Sequence, residues 1–167
     1  MAVFVFSKIF KTVSPPLRET RLNYKNYLMQ YWLIKSEPDV FSYEDLVREG
    51  HTRWDGVRNY QARNNLRAMQ QGDLCIYYHS NIGLAAVGIA TVLRTHYPDP
   101  TAGSGDWSAV DMGPYQALDH PVPLSVMKAH PDLQQIGLVR NPRLSVMPLT
   151  QQAFDLIVAL GTAVPHS

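Results

Sequence analysis

The sequence predicts a single α+β domain built on a curled β-sheet or barrel, with short helices packed against it. Three observations favour this class. The chain has 167 residues, the size of one ordinary domain, and 46% of them are apolar, which is enough for one sizeable core. Several strand-like runs are interleaved with three or four short helical patterns. There is no internal repeat and no low-complexity tract.

Composition excludes several classes of protein. No run of 18 or more uncharged apolar residues occurs, so we expect a soluble chain with no membrane partner. The lone cysteine, Cys75, allows neither an internal disulfide framework nor a cysteine-based zinc site. It lies in an apolar strand pattern and is predicted to be a small core residue.

Charge is distributed unevenly along the chain. Residues 1–28 hold five basic residues against one acidic residue, a balance of +4, whereas the remainder holds 10 basic and 13 acidic residues. A slightly acidic body is poorly suited to wrap a duplex by phosphate neutralisation alone. Any binding of nucleic acid must therefore depend on a local site.

The first 28 residues differ in composition from the rest of the chain. Lys8 and Lys11 interrupt the apolar start too early for a secretory signal, and the basic composition fits a mitochondrial presequence somewhat better. Met29, directly before the first strand pattern, is the start we favour. We interpret residues 1–28 as an N-terminal extension from a misassigned start codon, and residues 29–162 as the domain.

The domain opens with a strand and a capped helix. The apolar, aromatic run 30–36 predicts a strand that ends before Pro38, because proline cannot donate to a ladder and restricts the residue before it. Ser42 is a typical N-cap, the acidic residues after it suit the positive end of a helix, and Gly50 ends that helix.

Next come a second helix and a buried strand. Apolar residues at helical spacing predict a helix over about 60–70, with Ala62, Leu66 and Met69 on its buried face. The turn Gly72-Asp73 leads into a strand over 74–79.

The second half is predicted to be mostly strand. Gly88 is expected to be a bulge or a point of close approach within a long strand. Thr150 is expected to cap the last helix, and Gly161 to end it. In order, the predicted segments are a strand over 84–95, a loop over 97–106, strands over 107–112 and 116–122, a helical segment over 125–130, a strand over 143–147 and the final helix.

No known catalytic motif is recognisable in the sequence. The histidines form no pair four residues apart, and no His-x-Glu accompanies a Cys-x-x-Cys, so a dedicated zinc or deaminase site is not predicted. No Gly-x-Ser-x-Gly, phosphate-binding loop or dinucleotide fingerprint is present. We therefore predict no catalytic residue, no metal ligand and no cofactor.

The most informative segment is the run 54–65. It gathers aromatics, arginines and amides around a turn and a helix entrance. Amides can pair with a base edge, aromatic faces can stack on the base, and arginines can hold flanking phosphates. A purely structural interpretation also remains open, with Asn59 capping a helix, Trp54 packed in the core and Arg63 on a solvated face.

Two further polar and aromatic groups stand at predicted strand ends. One is Tyr77 to Asn81, and the other is Trp32 with Lys35-Ser36-Glu37. Strand ends often carry binding sites, so we expect these groups to converge with the run 54–65.

Long motifs in a consistent order resemble the EVE domain family over residues 30 to about 160. They are residues 31–38 (YWLIKSEP), 54–64 (WDGVRNYQARN), 78–81 (YHSN), 107–111 (WSAVD) and 143–150 (RLSVMPLT). The resemblance implies a PUA-like fold, a curved mixed sheet or pseudo-barrel flanked by short helices and related to YTH and ASCH domains. It also implies a non-catalytic module that holds a flipped modified base, modified cytosine in DNA, in an aromatic and amide pocket.

The same resemblance implies which residues lie at or beside the pocket. They are Trp32, Trp54 and Tyr78 for stacking; Ser36, Asn59, Ser80 and Asn81 for hydrogen bonds to the base edge; Lys35, Arg58 and Arg63 for phosphate contact; Tyr60 beside them; and Trp107 and Arg143 as secondary candidates.

Other functions remain open at this point. The same groups could take a modified nucleotide in RNA, where 2′-hydroxyl contacts would decide, or a free nucleoside. An ASCH-like RNA-processing enzyme would need Lys35 or Glu37 to act at the pocket. We expect a monomer that binds nucleic acid and is cytoplasmic, associated with the nucleoid in a bacterium or nuclear in a eukaryote.

Overall fold

Six strands and five helices make up the domain in the computed structural model, which describes residues 28–162. Residues 1–27 of the extension predicted over 1–28 lie outside the described residues. The elements are β1 (Tyr31–Ser36), α1 (Tyr43–Glu49), β2 (Thr52–Trp54), α2 (Tyr60–Ala68), β3 (Leu74–His79), β4 (Ala85–Pro98), β5 (Ser108–Pro123), α3 (Leu124–Ala129), α4 (Gly137–Arg140), β6 (Val146–Leu149) and α5 (Gln151–Thr162).

The strands form one mixed sheet in the order β2-β5-β4-β3-β1-β6. The β1–β3 pair is parallel, and every other neighbouring pair is antiparallel. The edge strands β2 and β6 do not pair with each other in the described part of the chain, so the sheet stays open. The predicted α+β class with a mixed sheet and short helices is confirmed, without full closure into a barrel.

Local signals in the first half of the domain predicted its elements well. Ser42 accepts a hydrogen bond from the Asp45 N–H, and Asp45 accepts one in turn from the Ser42 N–H, which completes a capping box. Gly50 ends α1 with φ +74°, a backbone conformation that favours glycine. The close approach predicted at Gly88 is confirmed, because the ring of Tyr43 occupies the space of a Cβ there.

Helix α2 ends at Ala68, two residues before the predicted end. Met69 adopts an extended conformation, and the buried Asp73 carboxylate accepts a hydrogen bond from the Gln70 N–H at 2.9 Å. The same carboxylate accepts the Trp32 indole N–H at 2.9 Å and the Gln30 N–H at 3.0 Å. Asp73 therefore joins the start of the domain to the end of α2.

Strand β5 is continuous, where two strands were predicted. Pro114 suggested a break, but the β4–β5 register moves from Ile89↔Gln116 to Ala90↔Pro114. A bulge thus absorbs the proline that cannot donate to a ladder. Strand β4 also extends to Pro98, past the predicted start of the loop, because Tyr97 pairs with Ala109.

Three further segments differ from the predictions. Strand β6 begins three residues later than predicted and includes Pro148, which an edge strand tolerates. Strand β2 and helix α4 were not predicted, since three or four residues carry too little periodicity to be recognised. Thr150 caps α5 as expected, with its hydroxyl accepting from the Ala153 N–H at 3.1 Å.

The site of His79 leads to a testable pH dependence. Its Nε2 accepts a hydrogen bond from the Tyr43 N–H at 3.1 Å, and this requires an unprotonated nitrogen. Burial lowers the pKa of His79, and the nearby Glu44 opposes this effect only in part. The unfolded chain therefore binds a proton more readily, so the free energy of unfolding should fall as pH drops below the ordinary histidine pKa of about 6.5.

Thermal unfolding between about pH 7.5 and pH 5 measures this dependence. His79→Gln keeps a hydrogen-bond acceptor that does not titrate. Its Tm should therefore fall less over this pH interval than the Tm of the unsubstituted protein. His96→Gln, at an exposed position of β4, should keep the slope of the original protein. Equal slopes in all three proteins would contradict the assignment to His79.

Candidate nucleic-acid interface

A cavity of about 640 Å³ opens where β1 ends. Its walls come from the end of β1, the β1–α1 loop, β2 with the following loop, and one residue before β6. This volume lies within the range of small-molecule binding sites. The lining residues are Lys35, Ser36, Glu37, Val40, Phe41, Thr52, Arg53, Trp54, Asp55, Gly56, Val57, Arg58, Asn59 and Ser145.

The β2–α2 loop is fixed by a buried carboxylate. Gly56 has φ +72°, and its N–H donates to Asp99 Oδ2 at 3.0 Å. Arg58 Nη1 donates to the same oxygen at 2.7 Å, and Thr101 donates twice to Oδ1. Burial alone raises the pKa of Asp99, but these hydrogen bonds from Arg58, Thr101 and Gly56 outweigh it and hold the pKa below its usual range.

An aromatic pair lies behind the cavity. The ring of Trp54 meets the buried ring of Tyr77 edge-on, with centroids 5.6 Å apart and planes at 85°. The Tyr77 hydroxyl and the Ser36 hydroxyl both donate to the Phe41 carbonyl, at 2.8 and 2.7 Å. Burial raises the pKa of Tyr77 to about 12, so it stays a neutral donor. These contacts set the position of the β1–α1 loop against the Trp54 side of the cavity.

Lys35 has no carboxylate partner among residues 28–162 and is held by backbone carbonyls. Its Nζ donates to the Pro142 carbonyl at 2.5 Å, and its backbone N–H donates to the Ser145 carbonyl at 2.9 Å. Burial lowers the pKa of Lys35. This lysine ties β1 to the segment that precedes β6, and Ser145 of that segment lines the cavity.

Asn59 caps a helix, as the structural interpretation of the sequence predicted, and also lines the cavity. Its Oδ1 accepts from the Ala62 N–H at 2.9 Å and caps α2. Its Nδ2 donors have no partner among the described residues, and the side chain lines the cavity. One amide therefore both starts the helix and has donors at the cavity wall.

Beside the cavity lies an arginine–aromatic cluster, formed by the exposed Arg58 and Tyr60 and the partly buried Arg63 and Trp107. Tyr60 and Trp107 stack with centroids 5.0 Å apart and planes at 23°. The Arg63 guanidinium lies 5.0 Å from the Tyr60 ring and 5.8 Å from the Trp107 ring, and Arg58 lies 5.7 Å from the latter. Arg58 belongs to both features, since it also lines the cavity.

Asp106 orients the outer side of this cluster. Arg63 Nη1 donates to the Asp106 carbonyl at 2.9 Å, and Arg67 Nη2 lies 2.5 Å from its carboxylate. The hydrogen bond from Arg67 lowers the pKa of Asp106. These contacts hold the guanidinium of Arg63 against its aromatic neighbours.

The structure brings together some of the predicted site residues and separates others. Lys35, Ser36, Trp54, Arg58 and Asn59 line the cavity. The arginine–aromatic cluster adds Tyr60, Arg63 and Trp107.

Five predicted residues lie elsewhere. Trp32 is a core residue bonded to Asp73, and Tyr78 is 1% exposed. The Tyr78 hydroxyl has no partner in the described part of the chain. Ser80 and Asn81 form the turn after β3, where the Ser80 N–H donates to the Ser36 carbonyl, and Arg143 lies in the loop before β6.

Several residues of the cavity wall, and the carboxylate of Asp99 that anchors one side of it, were missed from sequence. Asp99 lies in a segment interpreted only as a loop, although an aspartate before Pro-Thr at a turn is a recognisable capping signal. Phe41, Val57 and Ser145 carry no chemical signal of their own, because their place in the wall depends on the meeting of distant segments. Arg53 and Asp55 form an ion pair at 2.6 Å on the rim.

Two negative observations apply to residues 28–162. No helix there is long and apolar enough to span a membrane. In the same residues, no group of three or more His, Cys, Asp or Glu side chains is placed to hold a metal ion.

The sequence profile of the EVE domain matches residues 30–160. The chain belongs to the EVE domain family. Chicken thymocyte nuclear protein 1 is 36% identical over 170 residues, covering 81% of this chain and 70% of that protein. The crystal structure of a protein from Agrobacterium tumefaciens is 44% identical with a TM-score of 0.78, covering 81% of this chain and 96% of the other. The resemblance inferred from the sequence motifs is thus confirmed.

Another EVE relative has been solved with a ligand. Human thymocyte nuclear protein 1, in complex with DNA that contains 5-methylcytosine, is 34% identical with a TM-score of 0.75, covering 81% of this chain and 99% of that one. A YTH domain from Zygosaccharomyces rouxii is 16% identical with a TM-score of 0.54, over 81% of this chain and 88% of that domain. The second likeness concerns the fold alone and agrees with the expected PUA-like class.

Proposed function

We propose that this EVE domain is a non-catalytic reader of modified cytosine in DNA, which holds the flipped base in the cavity at the end of β1. The observation that carries the proposal is the juxtaposition of this cavity with the arginine–aromatic cluster. A pocket for a base and a cationic surface for its flanking backbone are thus neighbours. The human relative bound to DNA containing 5-methylcytosine supports the choice of ligand.

The cavity wall offers the groups that a flipped pyrimidine needs. Trp54 supplies an aromatic face, the Ser36 hydroxyl can accept while it donates to Phe41, and the Nδ2 of Asn59 can donate to a base edge. Extrusion of a base costs a few kcal/mol, and stacking on an aromatic ring recovers about 1–3 kcal/mol. Hydrogen bonds to the base edge supply the selectivity that stacking lacks.

Contact with the flanking backbone falls to the arginine–aromatic cluster. Arg58 and the partly buried Arg63 lie against the aromatic rings, and the N–H groups that they do not donate within the protein can face phosphates. Residues 29–167 carry more acidic than basic groups, so their net charge does not favour DNA. Binding to the backbone must therefore depend on a local cationic surface. Affinity for any duplex should therefore be modest, with the base in the cavity as the main source of preference.

The proposal also includes the oligomeric state, the absence of a chemical reaction and the location in the cell. The protein acts by binding as a monomer, and no bond of the nucleic acid is made or broken. Its place is with the DNA of the cell, in the nucleoid of a bacterium or the nucleus of a eukaryote.

The test is a binding titration of the full chain at fixed, moderate salt. Matched duplexes carry cytosine, 5-methylcytosine or 5-hydroxymethylcytosine at one position, and a matched RNA carries 5-methylcytosine. A preference of tenfold or more for one modified DNA, equal to about 1.4 kcal/mol, is expected. Equal, weak binding to all three duplexes would refute the proposal. Tighter binding to the RNA would identify RNA as the ligand of the pocket. Release of any cleaved or altered product would indicate an enzyme.

A further inference from the structure

The charged side chains of the cavity wall are not equivalent. Lys35 donates to a backbone carbonyl, Arg53 pairs with Asp55 at 2.6 Å, and Arg58 pairs with the buried Asp99 at 2.7 Å. Glu37 is the one charged residue of this wall whose side chain makes no hydrogen bond or ion pair within residues 28–162. Lys35 also lacks an ion pair within residues 28–162, but its Nζ is engaged at the Pro142 carbonyl, so the charged group left without a hydrogen bond in this wall is the Glu37 carboxylate.

The backbone of Glu37 is fixed while its side chain is free. The Glu37 carbonyl accepts hydrogen bonds from the N–H groups of Val40 and Phe41, at 3.0 and 2.9 Å. The next residue is Pro38, which further restricts the chain. The carboxylate thus projects from a turn of defined shape, and changing the side chain leaves the contacts that build the turn in place.

We propose that the Glu37 carboxylate accepts a hydrogen bond from the exocyclic amino group of cytosine and so makes the cavity reject thymine and uracil. The inference rests on the proposed function and adds the group that reads position 4 of the base. Cytosine carries an amino donor at this position, whereas thymine and uracil carry a carbonyl acceptor. A carboxylate can only accept, so it attracts the first group and repels the second.

The other cavity groups provide this discrimination less well than a carboxylate. 5-Methylcytosine and thymine share the same methyl group, and an aromatic face such as Trp54 stacks on either base. Asn59 offers only Nδ2 donors, because its Oδ1 caps α2, and the Ser36 hydroxyl, which donates to Phe41, is a neutral acceptor and therefore weaker than a carboxylate. A site built to bond a particular polar group rejects an analogue that lacks it more strongly than an apolar pocket rejects a change of shape.

The experiment separates the amino group from the methyl group. Four duplexes carry cytosine, 5-methylcytosine, uracil or thymine at one position opposite an abasic site, so that no base pair has to be broken. The full chain should bind cytosine over uracil, and 5-methylcytosine over thymine, by about tenfold. In Glu37→Gln both ratios should fall to about threefold or less, because the amide can also donate to the carbonyl of thymine or uracil.

Asp39→Asn is the matched control. Asp39 is exposed in the same loop and is not part of the cavity wall, so the variant removes an equal charge nearby. It should keep both ratios, and any general gain in DNA affinity should appear in both variants. An unchanged Tm would show that Glu37→Gln is folded.

The outcomes separate this inference from the proposed function. Equal binding of amino and carbonyl bases by the original protein, or ratios that Glu37→Gln leaves unchanged, would overturn the role of Glu37. The preference for 5-methylcytosine over cytosine would stand in either case. Conversely, loss of that methyl preference alone would refute the modified-base reader, while the cytosine-to-uracil ratio would still support an amino-reading carboxylate.

Discussion

Asp99→Ala is expected to lower the free energy of unfolding by about 3 kcal/mol and the affinity for methylated duplex by about tenfold or more. Asp99 is buried and accepts from the Gly56 N–H, from Arg58 and from two donors of Thr101. Without it these donors lose their acceptor, and the loop that carries one wall of the cavity loses its anchor. For a domain of this size, the Tm should fall by about 10 °C.

Chemical denaturation and duplex titration measure the two effects. Asp119→Ala, which removes the same charge from an exposed position of β5, should leave both nearly unchanged. Because the folded-state pKa of Asp99 is depressed, its contribution is full above the ordinary aspartate pKa of about 3.9. It is lost as pH falls through the lower folded-state value. An Asp99→Ala protein as stable as the Asp119 control would refute the anchoring role.

Trp54→Leu is expected to lower the affinity for a 5-methylcytosine duplex by about tenfold to hundredfold, since stacking on a base contributes about 1–3 kcal/mol. Leucine keeps apolar volume beside Tyr77 but removes the flat face. The lost edge-on contact should cost about 1 kcal/mol of folding stability, which leaves the protein folded. Binding to unmodified duplex should fall much less, so the modified-to-unmodified ratio should approach one.

Trp107→Leu supplies the comparison for Trp54. Trp107 stacks with Tyr60 and lies near the guanidinium groups of Arg58 and Arg63, outside the cavity wall. Its loss should weaken binding to modified and unmodified duplexes by a similar factor, and the ratio should be kept. The assignment of Trp54 to the base pocket would be wrong if both variants changed the ratio equally.

Much of the fold was predictable because the signals are local. Ser42 and Gly50 bound α1 through a capping box and a left-handed residue, and both are recognised from neighbours in sequence. The strand 74–79 is a compact apolar run between a turn and a polar end, and its predicted bounds match β3. The family was recognisable for the same reason, since each of its motifs is a continuous segment.

The errors arose where a contact across the sheet or within a turn overrides the helix or strand signal of the segment. Pro114 is typical of the end of a strand, yet a bulge against β4 carries β5 past it. Met69 continues the helical spacing of α2, yet the Asp73 carboxylate draws the next turn out of the helix. In each case the residue has the local preference that was used for the prediction, but a contact across the sheet or within the turn outweighs that preference.

The sequence by itself determined the class of the domain, its family and the chemistry of its motifs, because these depend on residue type and short spacing. Only the tertiary structure decided which motifs form one site. It placed Trp54, Asn59 and Lys35 around a cavity, while Trp32 lies in the core with its N–H on Asp73. Aromatic side chains serve a core and a binding site equally well, and only the strand pairing and the buried carboxylates determine which role each one takes.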